Sequence, residues 1–229
     1  MAQSFLATTA FTVPVIAIFW FAMMAARAGV ALYLGARLRD RTYGFLGGYV
    51  GAISVMSLIT HVLGARLQER LGDGFIYLNN LMHLPYALFY LGFVAGYFGG
   101  RARSPGWMRF QRVLMSSYAI ALAWLAFDAV TGANGSAWAI LGCNLINLVS
   151  SMVLAAGAAR DHRPGAREFL LASVPLLLSG LVLIAQFLDG TADAGGPTLL
   201  AFRTGFLLHV MILLIALSVR DREQRARLG

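Results

Sequence analysis

FRTGFLLHVMILLIALSVRDREQRAR, residues 202–227, decides the fold. Between Arg203 and Arg220 this stretch holds one ionisable residue, His209, and no proline. An apolar run of about 20 residues is what a helix needs to cross a ~30 Å hydrocarbon core. The basic segment that follows has no glycine or proline before Gly229, so the helix is expected to run on beyond the bilayer. Working back along the chain, the same pattern recurs. Seven spans are predicted, at 11–35, 43–64, 75–98, 111–131, 136–158, 168–188 and 198–219. The connections GGRARSPGW, TGANGS, RPGAR and DGTADAGGP are rich in turn formers.

Composition agrees. Of 229 residues, 59% are hydrophobic and 12% charged, where a soluble domain carries about a quarter charged residues. The expectation is an all-α integral membrane protein, a seven-helix bundle forming one domain over 1–229. The chain has no lysine, so a retinal Schiff base, which needs a lysine amine, is excluded. The lone cysteine, Cys143, leaves no intrachain disulfide. The opening MAQSFLATTA has no basic residue, so the first apolar run reads as a span and not as a cleaved signal peptide.

Arginine placement sets the orientation. Arg37, Arg39 and Arg41 follow the first span, and Arg101, Arg103, Arg109 and Arg112 the third. Arg160, Arg163 and Arg167 follow the fifth, and Arg220, Arg222, Arg225 and Arg227 the seventh. The alternate connections hold only Arg66 and Arg70, offset by Glu69 and Asp73. Basic connectors stay cytoplasmic, which puts the N-terminus outside and the C-terminus inside. The net charge of +8 is thereby assigned to membrane topology and not to nucleic acid.

Ionisable groups inside a membrane are costly and mark candidate sites. His61, His83, Asp128, Arg203 and His209, with Asn80, come from the second, third, fourth and seventh spans and fall mostly in the outer half. One reading is an outward-opening polar cavity that binds a small ligand. The other is a set of interhelical hydrogen bonds. Asn144, Asn147 and Ser151 form a stripe on the fifth span that reads as helix–helix contact. Arg27 lies inside the first span and either snorkels or pairs within the bundle. An alternative function, an intramembrane metal- or haem-dependent enzyme, would use His61, His83 and His209. Ser57-Leu-Ile-Thr-His61 resembles the Ser-x-x-x-His segment of the membrane hydrolases related to alkaline ceramidases and adiponectin receptors. The His-x-x-x-His pair of that family is missing, because Gly205 and Leu213 stand four residues either side of His209. No metal and no cofactor is expected.

Three stretches carry a broader resemblance: LYLGARLRDRTYGFLGGYV (32–50), RPGAREFLLASVPLLLSG (163–180) and the opening stretch (202–227), with GARLQERLGDGFIYLNN (64–80) in support. Arg39-Asp40-Arg41-x-Tyr43 and Ala216-Leu-Ser-Val-Arg-Asp-Arg222 are the most specific parts. In order and spacing they resemble the membrane domain of the bacterial seven-transmembrane receptors with diverse intracellular signalling modules. The resemblance implies a non-enzymatic sensor in the bacterial inner membrane. It would bind an unidentified small ligand in its outer half and signal through the last helix to a cytoplasmic protein at Arg220–Arg227. A homodimer is a further expectation.

Overall fold

The computed structural model describes residues 2–59, 63–72, 77, 81–99, 104–132, 135–188 and 197–226. Among the described residues the regular structure is helical: α1 (Ala2–Leu38), α2 (Arg41–Ser57), α3 (Gly64–Leu71), α4 (His83–Phe98), α5 (Pro105–Thr131), α6 (Gly135–Arg160), α7 (Ala166–Leu188) and α8 (Pro197–Ala226). Among the described residues four stretches are long and apolar enough to cross a membrane: Ile18–Leu38, Pro105–Thr131, Trp138–Arg160 and Arg203–Glu223. The predicted second span, 43–64, is an α-helix to Ser57 and then a π-turn at Leu58 and Ile59. The connector after it, expected to be irregular, contains the short helix α3.

The chain divides into two compact units, Met1–Gly96 with Pro105–Asn144, and Tyr97–Ser104 with Leu145–Gly229. In the first unit, the Arg39-Asp40 pair makes the corner between α1 and α2. Arg39 adopts a left-handed φ of 53° and ends α1. Asp40 caps α2, its carboxylate accepting from the Thr42 amide at 2.8 Å.

Glycine then sets how closely the helices approach. A Cβ on Gly35 would lie 2.9 Å from the Gly44 amide nitrogen, and one on Gly47 would meet Leu32. On the other side of α2, Gly48 receives the Phe89 ring of α4, and Gly92 of α4 receives the Phe45 ring of α2. This exchange fixes an antiparallel register, 45 against 92 and 48 against 89. Without a hydrophobic driving force between helices in lipid, such close backbone contact is a main source of attraction. Beyond it, Ala87, Leu91, Leu114, Tyr118 and Cys143 of α4, α5 and α6 form a buried cluster.

In the second unit α7 and α8 run antiparallel. Gly205 lies against Ser179 and the Pro175 carbonyl, with Ser179 Cβ only 2.7 Å from where a Cβ would stand. The buried residues of α8 include Arg203, Phe206, His209, Val210, Leu213, Ala216, Leu217 and Arg220. Among them Arg203, Phe206, Val210, Leu213, Leu217 and Arg220 recur at 3-4-3-4-3 spacing, a seam with an arginine at each end.

Candidate functional site

Two polar networks form in the first unit. At the α5–α6 turn, Asp128 is fully buried, and its Oδ2 accepts from the Ser136 amide at 2.6 Å. The Asp128 carbonyl accepts from the Gly132 amide at 2.8 Å and from the Tyr77 hydroxyl at 2.7 Å. A carboxylate on the first-turn amides of α6 satisfies a donor the helix cannot satisfy itself and complements its dipole. Asp128 thus staples the α5–α6 hairpin and draws in the connector that carries Tyr77. Its Oδ1 is buried and meets no donor among the described residues.

The second network joins α4, α5 and α6. The Tyr118 hydroxyl donates to Asn144 Oδ1 at 2.5 Å, which turns the amide so that Nδ2 faces His83 Nδ1 at 3.3 Å. An amide nitrogen only donates, so Nδ1 accepts and the proton of this neutral imidazole sits on Nε2. The His83 ring stands edge-on to Tyr86, centroids 5.3 Å apart. Tyr49 continues the series, 6.1 Å from Tyr86 and 5.0 Å from Tyr90. His83 and Tyr86 are half-buried, whereas Tyr49, Tyr90 and Tyr118 are buried. The arrangement is a cluster of tyrosines with a histidine at its edge. Among the described residues Asp128 shares no hydrogen bond with His83, so the two candidates occupy separate networks.

In the second unit, His209 is fully buried and its Nδ1 lies 2.8 Å from the Ala172 carbonyl oxygen. A carbonyl only accepts, so Nδ1 carries the proton. Ala172 adjoins Leu171, whose carbonyl loses its helical donor because Pro175 has no N–H. His209 therefore ties α8 to α7 at the proline-weakened turn, as polar side chains do around membrane prolines. Arg203 is buried on α8 and heads the seam. At the far end the Arg220 guanidinium stands 5.2 Å over the Tyr97 ring and pairs with Asp221 at 3.1 Å. The Tyr97 hydroxyl donates to the Gly165 carbonyl at 2.8 Å. Gly165 has a φ of +73°, and a Cβ there would stand 2.9 Å from the Ala216 carbonyl oxygen, so only glycine closes this corner.

Of the six candidates, His83 and Asp128 lie in the first unit, and Arg203 and His209 in the second. His61 and Asn80 lie outside the described residues. Arg27 turns back on its own helix, donating to the Met23 carbonyl at 3.1 Å. The sequence reading missed Tyr49, Tyr86 and Tyr118, whose signal was a set of tyrosines on apolar spans beside a histidine. It also missed Tyr97 and Gly165. Among the described residues no three potential metal ligands come together.

Long apolar helices with sparse, internally bonded polar groups define a multi-pass helical membrane protein. The family described as "7TM diverse intracellular signalling" matches residues 14–220. The chain belongs to that family, which is one of receptor-type membrane sensor domains. No curated protein and no solved structure matches the chain.

Proposed function

We propose that the chain is the sensing module of a signalling system in the bacterial inner membrane, a single domain of seven spans with its N-terminus outside and its C-terminus in the cytoplasm. A small ligand binds in the outer half, and α8 carries the response to a cytoplasmic partner that docks on Arg220–Arg227, within a homodimer. One observation carries this reading: α8 is a single 30-residue helix from Pro197 to Ala226. At about 1.5 Å per residue it is roughly 45 Å long, more than the hydrocarbon core, so a shift at one end appears at the other. His209 holds it to α7 in the middle, and the Tyr97–Arg220 contact holds it near its end.

Of the candidates His61, Asn80, His83, Asp128, Arg203 and His209, the ligand is placed at His83, and His209 is the hold on α8 through which the response passes. Of the two polar networks, the one at His83 suits a ligand better. It offers an Nε2–H donor at a half-buried edge and stacking surface from Tyr86. Asp128 spends one carboxylate oxygen on capping α6. A ligand acts on α8 only through different affinities for its two positions.

The test is a thermal-shift screen of small metabolites on the reconstituted protein, with a spin label at position 225. A compound that stabilises the wild type should change the label's mobility, and His83→Ala should abolish the stabilisation. His209→Ala should preserve binding and lose the change at the label. The proposal fails if stabilising compounds leave the label unaffected, or if both variants respond as the wild type does.

A further inference from the structure

Between α2 and α4, residues 58–82, the chain carries an arginine-bearing helix that the sensor reading does not use. GARLQERL forms α3, and Leu63 belongs to the same turn because its carbonyl accepts from the Leu67 amide at 2.9 Å. The Leu63 amide donates to the Leu58 carbonyl at 3.1 Å, which links α3 to the end of α2. At about 100° per residue, Leu63, Leu67 and Leu71 fall within about 80° of one another on one face. Leu63 and Leu71 are exposed, as are Arg66, Glu69 and Arg70. Arg70 and Arg66 stand about 60° and 100° from the centre of the leucine face, along one flank, and Glu69 about 160° from it. The only acid of the helix therefore points away from the leucines, while both cations border them.

Position agrees with pattern. Tyr77, six residues after Leu71, donates to the Asp128 carbonyl near the α5–α6 turn. That places the connector at the end of the first unit away from the Arg39–Asp40 corner, where two arginines are not needed to hold the topology. In a chain that spans a bilayer, a leucine face flanked by arginines at a helix end meets the boundary between acyl chains and headgroups. Arginine stems cover apolar surface while their guanidinium groups reach outward, and a planar guanidinium matches a phosphate.

We propose that α3 is an interfacial anchor. Leu63, Leu67 and Leu71 insert into the acyl boundary of the outer leaflet, and Arg66 and Arg70 bind phospholipid phosphates, preferentially in anionic lipid. The occupant of this face is the bilayer surface, and the anchor fixes where α2 ends and α4 begins relative to the membrane.

The test uses the full chain in phosphatidylcholine vesicles with and without phosphatidylglycerol. An environment-sensitive fluorophore is attached at Leu71→Cys or Glu69→Cys in a Cys143→Ala background. The label at 71 should emit to the blue and be quenched by lipid bearing a nitroxide high on its acyl chain. The label at 69 should be quenched several-fold more strongly by iodide in the water. Equal iodide quenching at both positions would overturn the proposal, and so would a label at 71 shielded from iodide and nitroxide lipid alike, because protein would then cover the face. Arg66→Gln with Arg70→Gln should raise iodide quenching at 71 and erase its dependence on phosphatidylglycerol. A position-71 signal indifferent to both lipid charge and the double substitution would refute the phosphate contact.

Discussion

Gly48→Ala and Gly92→Ala test the exchange of rings and glycines between α2 and α4. A Cβ at Gly48 would stand 2.5 Å from Phe89 Cδ1 and 2.8 Å from Cγ; one at Gly92 would stand 2.5 Å from Phe45 Cδ1 and 2.9 Å from Cγ. Carbon atoms rest at about 3.5–4.0 Å, so each substitution overlaps a ring by roughly 1 Å. Overpacking of this kind costs about 1–3 kcal/mol. Both rings are a little over one-third exposed, Phe45 at 37% and Phe89 at 38%, so each can swing outward and the cost falls at the lower end. Against it stands the gain of up to about 1 kcal/mol when alanine replaces a helical glycine. Gly180 on α7 has nothing within 4 Å of an added Cβ and would show that gain alone. The expected gap between Gly180→Ala and either crowded variant is therefore about 1–2 kcal/mol, a factor of roughly 5–30 in the folding equilibrium. Reversible unfolding in bicelles, followed with a pair of labels, measures it. Phe89→Leu should relieve Gly48→Ala, so the double variant costs less than the two single changes added. If Gly48→Ala and Gly92→Ala are as stable as Gly180→Ala, the register 45–92 and 48–89 is wrong.

Three further outcomes are expected. Tyr118→Phe removes the donor that orients Asn144 and should destabilise by about 0.5–1.5 kcal/mol in the same unfolding assay, with His83→Ala adding less in that background than alone. Asp128→Ala should cost about 0.5–2 kcal/mol through the lost cap on Ser136, while Asp128→Asn, which keeps an acceptor, should cost less; equal losses would deny the cap. Gly165→Ala should lower the protein's thermal midpoint and free the Arg220 end of α8, seen as higher mobility of a spin label at 225. An unchanged label would show that the Tyr97 corner does not restrain the helix.

How much was legible depended on whether a feature is local in the chain. Apolar runs, their breakers and the arginine bias are additive properties of short windows, so membrane character could be read directly. Asp128 was recognised as a buried acid, but its bond to the Ser136 amide depends on how the turn folds back. The stripe Asn144, Asn147 and Ser151 was read as helix–helix contact; Asn144 bonds to Tyr118 and His83 in that way, whereas Ser151 donates to the Asn147 carbonyl within α6. The run YGFLGGYVGA, residues 43–52, revealed small residues but not which glycine faces which helix. The connector at 64–71 read as a loop because eight residues are too few for a periodicity to stand out.

The sequence alone determined that this chain partitions into lipid as helices, because the transfer of apolar side chains is a sum over residues and ignores their partners. Only the tertiary structure decided which helix face meets which: the ring–glycine exchange of α2 and α4, the tyrosine cluster beside His83, the histidine bond that holds α8 to α7. Lipid is as apolar as the side chains it surrounds, so the hydrophobic effect drives segments into the membrane without choosing their neighbours. That choice falls to close contacts and hydrogen bonds between residues far apart in the chain.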